Sequence, residues 1–451
     1  MLRTLIACGA FLVCLAELGA TQSASSASQS GEIQQQQHEA IVGNYRLPDG
    51  NVLGITLFDG AGMPQLLYSD YGSGVVRLLF ARPDGSFEIG TGFAIESPTE
   101  ATLRFARDPT GAAGAVTLRR VGASGIVASR IPVARHEVTF VSGDAKLAGT
   151  LITPATAEPH PAIVLLHGSG RLTRYSFGPY PHFFASLGLA VLIYDKRGTG
   201  ASTGQFFDRT MMYPDVFTED ALAAVRFLAS RAEIDSRRIG LWGTSEGGML
   251  TTQVAARSNQ VAFIINSSGF MVPLWEQVIY NIEAQLRADG LPDNEVSEAI
   301  SFQRLATEAM RTGEGWEVYA AALAKARETR WYAQYFGQSP GFSSLESLRR
   351  QWDYVYSFDP QPALKSVKCP VLGLFGSLDT STPVVASIQN MQRGLEEAGN
   401  PNVTLKLIEG ANHPLMEART GGNTEVRSLS RMAPDVLPTL RTWLAAVMGA
   451  P

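Results

Sequence analysis

Cysteine is nearly absent. The 451-residue chain holds three, and two of them, Cys8 and Cys14, fall in its apolar first segment. Without that segment Cys369 stands alone, so no intrachain disulfide can form. Cys369 precedes Pro370 and an apolar run, and reads as a small buried residue. Basic blocks are missing too. Net charge is −5, with no RNA-binding motif and no zinc-finger spacing, which excludes nucleic acid as an expected partner. The phosphate-cradling pattern Gly-x4-Gly-Lys-Ser/Thr does not occur. The Gly-rich stretch 195–204 therefore reads as a turn, with Asp195 or Arg197 in structural ion pairs. Arg171 and Arg174 read as solvated loop charges, with an acidic substrate group as the alternative partner. Histidine is scarce: of six residues, only His413 lies beyond His182.

What is present begins with a leader pattern. Arg3 precedes an apolar run over 5–15, and small residues follow from Gly19. This is a signal peptide pattern, with cleavage expected after Ala20 or Ala24 and export to the periplasm or exterior. The run is too short for a membrane span, so no stable membrane insertion is expected. Leu5-Ile6-Ala7-Cys8 has the look of a lipoprotein box, but it lies too near the start to leave an apolar region before it. Residues 25–39 are rich in Ser, Ala and Gln and read as a solvated linker.

Residues 40–132 carry short apolar runs separated by turn signals such as Pro48-Asp49-Gly50 and Pro83-Asp84-Gly85. Strands are expected over 52–58, 75–80, 101–105 and 116–120, in a small all-β barrel or sandwich. From 133 to 451 strand and helix signals alternate, which predicts a mostly parallel sheet covered on both faces. Residues 270–357 interrupt that rhythm with helical runs and four of the six tryptophans, Trp275, Trp316, Trp331 and Trp352. They read as a helical cap inserted over a site. The tryptophans are expected in the cap's own core, with a few facing a pocket.

One pentapeptide carries the chemistry. Gly243-Thr244-Ser245-Glu246-Gly247 follows the apolar run 239–242 and precedes a helical run. Strand, Gly-x-Ser-x-Gly and helix form the pattern of a nucleophile elbow, a turn so sharp that side chains two before and two after the Ser would collide. A Ser hydroxyl needs a base, most often His oriented by a carboxylate. In chains with this elbow the order is Ser, acid, His. His413 is the one histidine downstream. Between the two, Asp289, Asp293 and Asp353 fall in the expected cap and Asp359 in a turn. Asp379 follows the strand-like run 371–375, where open α/β sheets place their sites. Its alternative role is to cap the following helix. Ser245, Asp379 and His413 are therefore the expected catalytic residues. The backbone N–H of Glu246 and that of Ser169, with Gly168 next, are the expected oxyanion donors, since His167-Gly168-Ser169-Gly170 is a Gly-rich loop after a strand. His167 is structural in this reading.

Together these segments resemble the α/β-hydrolase superfamily. They are His-Gly-Ser-Gly at 167–170, Tyr-Asp-Lys-Arg-Gly-Thr-Gly at 194–200, Gly-Thr-Ser-Glu-Gly-Gly at 243–248, Gly-Ser-Leu-Asp at 376–379 and Asn-His-Pro at 412–414. Within it the chain is similar to bacterial two-domain esterases and acyl hydrolases, labelled serine aminopeptidase-like or dienelactone-hydrolase-like. The β-rich front resembles the module that precedes such catalytic domains. The resemblance implies a serine hydrolase of carboxylic esters or thioesters, without metal or organic cofactor, acting on a small ester or a short peptide. Two alternatives stay open: a serine peptidase using the same triad, and a ligand-binding protein on an inactive hydrolase scaffold. Acyl-chain preference and oligomeric state are not legible.

Overall fold

The computed structural model describes residues 38–59, 64–107, 111–206, 213–337, 339 and 341–449. The expected leader, and the expected linker as far as residue 37, lie outside the described residues. His38 and Glu39, expected in the linker, sit in a helical turn.

The front of the chain forms nine strands: β1 (Gly43–Arg46), β2 (Val52–Phe58), β3 (Gln65–Asp70), β4 (Val76–Leu78), β5 (Phe80–Ala81), β6 (Phe87–Ile89), β7 (Ala101–Arg107), β8 (Ala113–Arg120) and β9 (Ile126–Ile131). They pair antiparallel in the order β4-β3-β2-β1-β9-β8-β7-β6-β5. The two ends, β4 and β5, are neighbours in sequence, so the sheet is nearly closed. Alternation explains its inner face. Along β7, Ala101 and Leu103 are buried while Arg104 is exposed, and Val116 and Leu118 of β8 are buried with them. The expected run 75–80 is split into β4 and β5. Strands β1, β3, β6 and β9 fall outside the expected runs. In β9 only Ala128 is buried and the residues around it are fully or partly exposed, so its apolar pattern is weak.

The second sheet holds β10 (Val133–Ser142), β11 (Ala145–Pro154), β12 (His160–Leu166), β13 (Ala190–Tyr194), β14 (Ile234–Thr244), β15 (Val261–Ser267), β16 (Val371–Gly376) and β17 (Val403–Ile408), in the order β10-β11-β13-β12-β14-β15-β16-β17. The hairpin β10–β11 joins antiparallel, and the six strands from β13 onward in that order run parallel. Helices cover both faces. Val164 and Leu166 of β12 point into the core shared with α2 (Tyr213–Ala229) and α3 (Glu246–Arg257). Ile163 and Leu165 point the other way, toward α1 (Tyr180–Ser186). This is the period-two alternation of a strand buried on both sides.

Between β15 and β16 the chain inserts α4 (Leu274–Ala288), α5 (Asp293–Thr312), α6 (Trp316–Ala326), α7 (Arg330–Phe336), α8 (Leu345–Gln351) and α9 (Gln361–Leu364). After β16 come α10 (Val384–Glu397), β17 and α11 (Val436–Met448).

The two sheets share a core. Phe58, Leu67, Tyr71, Val76 and Phe93 of the front pack in one cluster with Phe177, Phe183 and Trp242. Tyr71 meets Phe183 edge-on at 5.4 Å and donates to the Pro179 carbonyl at 3.1 Å. Asn44 donates to the His182 carbonyl at 2.7 Å. All six tryptophans lie at or beyond Trp242, so their fluorescence reports on the second sheet and its helices only. Because the core is continuous, Tyr71→Ala is expected to lower the tryptophan-detected unfolding midpoint together with the far-ultraviolet one, at a cost of about 3–5 kcal/mol. Guanidinium titration followed by both signals checks this. A tryptophan midpoint that stays put would show two independent folding units.

Candidate active site

Backbone geometry singles out Ser245. It joins the last residue of β14 to the first of α3 with φ 57° and ψ −122°, a region that costs an L residue about 1–3 kcal/mol. The conformation is held from both sides. The Ser245 amide donates to the Ser267 carbonyl at 2.9 Å, and its carbonyl accepts from Met249 N–H at 3.1 Å. The flanking glycines are obligatory. A Cβ on Gly243 would lie 2.1 Å from the Gly247 carbonyl oxygen, and one on Gly247 would lie 2.1 Å from the Leu166 carbonyl oxygen.

His413 lies in the loop after β17. Its Nδ1 is 2.9 and 2.8 Å from the two carboxylate oxygens of Asp379, whose side chain has no exposure. Asp379 also accepts the amides of Ser381 and Thr382, both at 2.7 Å. It thus makes the turn toward α10 and orients the imidazole at once. Asp289, by contrast, takes hydrogen bonds from Gln285 and Thr424 and not from His413. The His413 Nε2 is buried and has no hydrogen-bond partner. Ser245 and His413 line the same cavity, and no hydrogen bond joins them. Such bonds commonly tighten only when substrate is bound.

The loop of Gly168 and Ser169 packs against the elbow. A Cβ on Gly168 would touch the Ser245 Cβ at 3.6 Å. Neither the Ser169 nor the Glu246 amide donates to a described protein atom, which for Glu246 is the ordinary state of a first helical amide.

A residue that the sequence did not single out ties these parts together. Lys196 is buried, and its Nζ donates to the Gly168 carbonyl at 2.7 Å and to the Glu246 carboxylate at 2.6 Å. It also lies 4.4 Å from the centre of the Phe217 ring. Burial pushes the Lys196 ammonium below its ordinary value, and the Glu246 charge opposes that shift. The motif containing Lys196 was visible, but only pairing in space reveals its partners. The second unread feature is a polar stripe on α4. Gln277 donates to the Ser381 carbonyl at 2.7 Å, Tyr280 to the Asp379 carbonyl at 2.8 Å and Asn281 to the Thr380 carbonyl at 3.0 Å. Gln285 accepts from Thr380 at 2.9 Å. Gln277, Asn281 and Gln285 recur at four-residue spacing and are all buried, a signal that the sequence did hold.

Other expectations meet mixed outcomes. His167 is buried against Phe177 and Tyr194, at 4.3 and 5.3 Å between ring centres. Burial, aided by the nearby Lys196 charge, pushes its imidazole well down, so it stays neutral as a structural group. Asp195 pairs with Arg174 at 2.9 Å and Arg197 with Asp220 at 2.6 Å. Arg174 is therefore neither a solvated charge nor a free substrate contact. It is buried because β10, β11 and the loop after β13 converge on it, with Glu137, Thr150 and Asp195 as partners. Arg171 donates to the Gly198 carbonyl and lies 5.0 Å from the Phe206 ring centre. Cys369 is half-buried rather than buried, and burial pushes its thiol up to about 11, which leaves it protonated. The four cap tryptophans line neither cavity at the site. Phenylalanine and tyrosine do instead, because Trp331 turns into the cap core beside Phe302 and its indole N–H donates to Glu298. Among the described residues no group of three or more His, Cys, Asp or Glu is placed to hold a metal ion, and no helix is long and apolar enough to cross a membrane.

Comparison with known proteins decides the family. Residues 142–408, more than half of the chain, match the model of the X-Pro dipeptidyl-peptidase (S15) family. The chain belongs to that family. It is a hydrolase of the α/β-hydrolase superfamily, in the class that acts on ester and amide bonds. The quorum-quenching protein AidA of Acinetobacter baumannii is 32% identical over 163 residues, which is 36% of this chain and 53% of that protein. Esterase EstD of Thermotoga maritima is 26% identical over 308 residues, 66% of this chain and 65% of that one. The chain thus spans about half the length of the first and just under two thirds of the second. Among solved structures, the Pyrococcus furiosus esterase Pf2001 is similar over 70% of this chain and 92% of its own, with a TM-score of 0.44 and 18% identity.

The Lys196 bridge yields a stability prediction. Lys196→Met leaves the Glu246 carboxylate buried and unpaired, and is expected to cost about 3–5 kcal/mol. Adding Glu246→Gln removes that charge and should recover part of the loss. Denaturant unfolding of the two single variants and the double variant measures the coupling. Strictly additive losses would show that the pair does not interact.

Proposed function

We propose that the protein hydrolyses carboxylic esters through Ser245, His413 and Asp379. The observation that carries this reading is the strained Ser245 turn sharing a cavity with an imidazole whose other nitrogen is held by a buried carboxylate. Nδ1 donates to Asp379, so Nε2 offers its lone pair. The Ser245 hydroxyl proton passes to that nitrogen as Oγ bonds to the acyl carbon. The carbonyl oxygen gains charge, which the Ser169 and Glu246 amides stabilise, with Gly168 next to them. The bond to the alcohol oxygen then breaks, and the alcohol leaves with the proton from His413. Water repeats the sequence: it gives a proton to His413, attacks the acyl carbon, and Ser245 departs with that proton.

An amide substrate remains the competing reading, favoured by the family description. A peptidase that reads a free N-terminus needs a carboxylate to meet the ammonium. Among the described residues the cavities at the site offer Glu246 alone of the Asp and Glu, and Lys196 already neutralises it. That supports the ester reading. The export reading rests on residues 1–24 only.

Ser245→Ala is expected to abolish hydrolysis of p-nitrophenyl esters and labelling by a fluorophosphonate probe. Asp379→Asn keeps the contact but favours the wrong imidazole tautomer, with kcat falling by about four orders of magnitude. Wild-type turnover by Ser245→Ala would refute the proposal, and faster cleavage of aminoacyl anilides than of matched esters would move it to the peptidase reading.

A further inference from the structure

Two cavities meet at the oxyanion loop, and their walls come from different parts of the chain. One, of about 960 Å³ with its open mouth, lies under the inserted helices, where Val278, Phe302, Ala306 and Phe342 line it together with Ser169 and Glu246. The other, of about 910 Å³, lies between the sheets, where Phe58, Leu67, Val76 and Phe93 of the front sheet line it together with Ser245 and His413. Ser169 lines both. Among the described residues, the Asp, Glu, Lys, Arg and His that line these cavities are the neutralised Glu246 in the first and His413 in the second. A charged substrate arm would lose its hydration in either without a partner.

The chemistry assigns the arms. The leaving alcohol must take its proton from His413, so it lies in the cavity that His413 lines. The acyl carbon sits at Ser245 with its oxygen toward the Ser169 and Glu246 amides, and the rest of the acyl group continues past them into the cavity that Glu246 lines. We infer that the substrate class is an uncharged ester with two apolar arms, its acyl chain under the inserted helices and its alcohol group against the front sheet. The inference rests on the ester-hydrolase reading above. It also gives the front sheet a role in specificity, because β2, β3 and β4 form the wall that recognises the alcohol.

A matrix of esters tests it on the wild-type protein, combining acetate, hexanoate and decanoate with methanol, benzyl alcohol and 2-naphthylmethanol, followed by acid release. The expected kcat/KM rises along both axes, roughly fourfold per acyl methylene until the cavity is full. Ala306→Phe narrows the first cavity and should lower the decanoate-to-acetate preference about tenfold without reordering the alcohols. Val76→Phe narrows the second and should lower the naphthylmethyl-to-methyl preference by a similar factor without reordering the acids. A flat wild-type matrix overturns the inference even if neither variant folds. A Val76→Phe variant that changes acyl preference instead overturns the assignment of arms. Absence of all ester turnover together with absent fluorophosphonate labelling of Ser245 would instead refute the ester-hydrolase reading beneath it.

Discussion

The site depends on how closely two backbones approach beneath Ser245. Gly247 lies so near the Leu166 carbonyl that a Cβ would stand 2.1 Å from its oxygen. That approach brings the end of β12 against the first turn of α3. The residue before that turn then has nowhere to go but a positive φ. The loop that follows β12, with Gly168 and Ser169, is carried along, so close that a Cβ on Gly168 would stand 3.6 Å from the Ser245 Cβ. One steric fact therefore brings the Ser245 turn and the loop of Gly168 and Ser169 together. The strain at Ser245 is offset by the parallel ladder on both sides, where Leu166 pairs with Gly243 and Ser267 with Thr244.

Polar groups then lock what the glycines allow. Lys196 spans the Gly168 carbonyl and the Glu246 carboxylate from a buried position. Inside a medium of low dielectric such a pair costs desolvation and repays it only with good geometry and full hydrogen bonding. Here the ammonium has a carboxylate, a carbonyl and an aromatic face. The result is a rigid strut between the two sources of the proposed oxyanion donors. The α4 stripe does the same for the acid loop, satisfying the carbonyls of Asp379, Thr380 and Ser381 from one helix face. Donors already aimed at the place where charge develops need no rearrangement during reaction, which is where such electrostatic stabilisation gains its strength.

Much of this was readable before the fold was known, and the reason is local. The elbow, the Gly-rich loop and the strand-end Asp379 are each a short segment whose residue types answer a local steric or chemical demand. The contact between His413 and Asp379 followed from an ordering argument and a shortage of histidine, and the two side chains do meet. What stayed hidden was pairwise. Lys196 and Glu246 are 50 residues apart, and nothing in either segment names the other. Arg174 looked like a loop charge because its three partners come from β10, β11 and the loop after β13. Of the cap tryptophans, Trp331, Trp316 and Trp352 join the core as expected, while none faces a pocket: a large aromatic in an inserted helix satisfies either equally well, and for Trp331 the packing of α5 against α7 decides. In the front sheet, β9 was missed because a strand of mostly exposed residues carries little alternation to read.

The loop bearing His413 joins these levels. After the histidine the chain runs along the front sheet, where Val76 N–H donates to the Ser430 carbonyl at 2.9 Å and Met432 N–H to the Gly74 carbonyl at 2.8 Å. Just before that contact, Thr424 hydrogen-bonds Asp289 at the end of α4. Glu425 folds the intervening turn by accepting the amides of Arg419, Thr420 and Gly421. The imidazole is thus anchored in the second sheet at Asp379, while the segment after it is tied to both added parts of the molecule. An added domain that only covered the site could be lost without touching its chemistry. A domain whose strand β4 is hydrogen-bonded to the continuation of the histidine loop cannot be removed without breaking contacts of that loop's own chain. If His413 is the base as proposed, the elements that shape the two cavities also border the loop that carries it, and the proposed recognition and chemistry share one set of contacts.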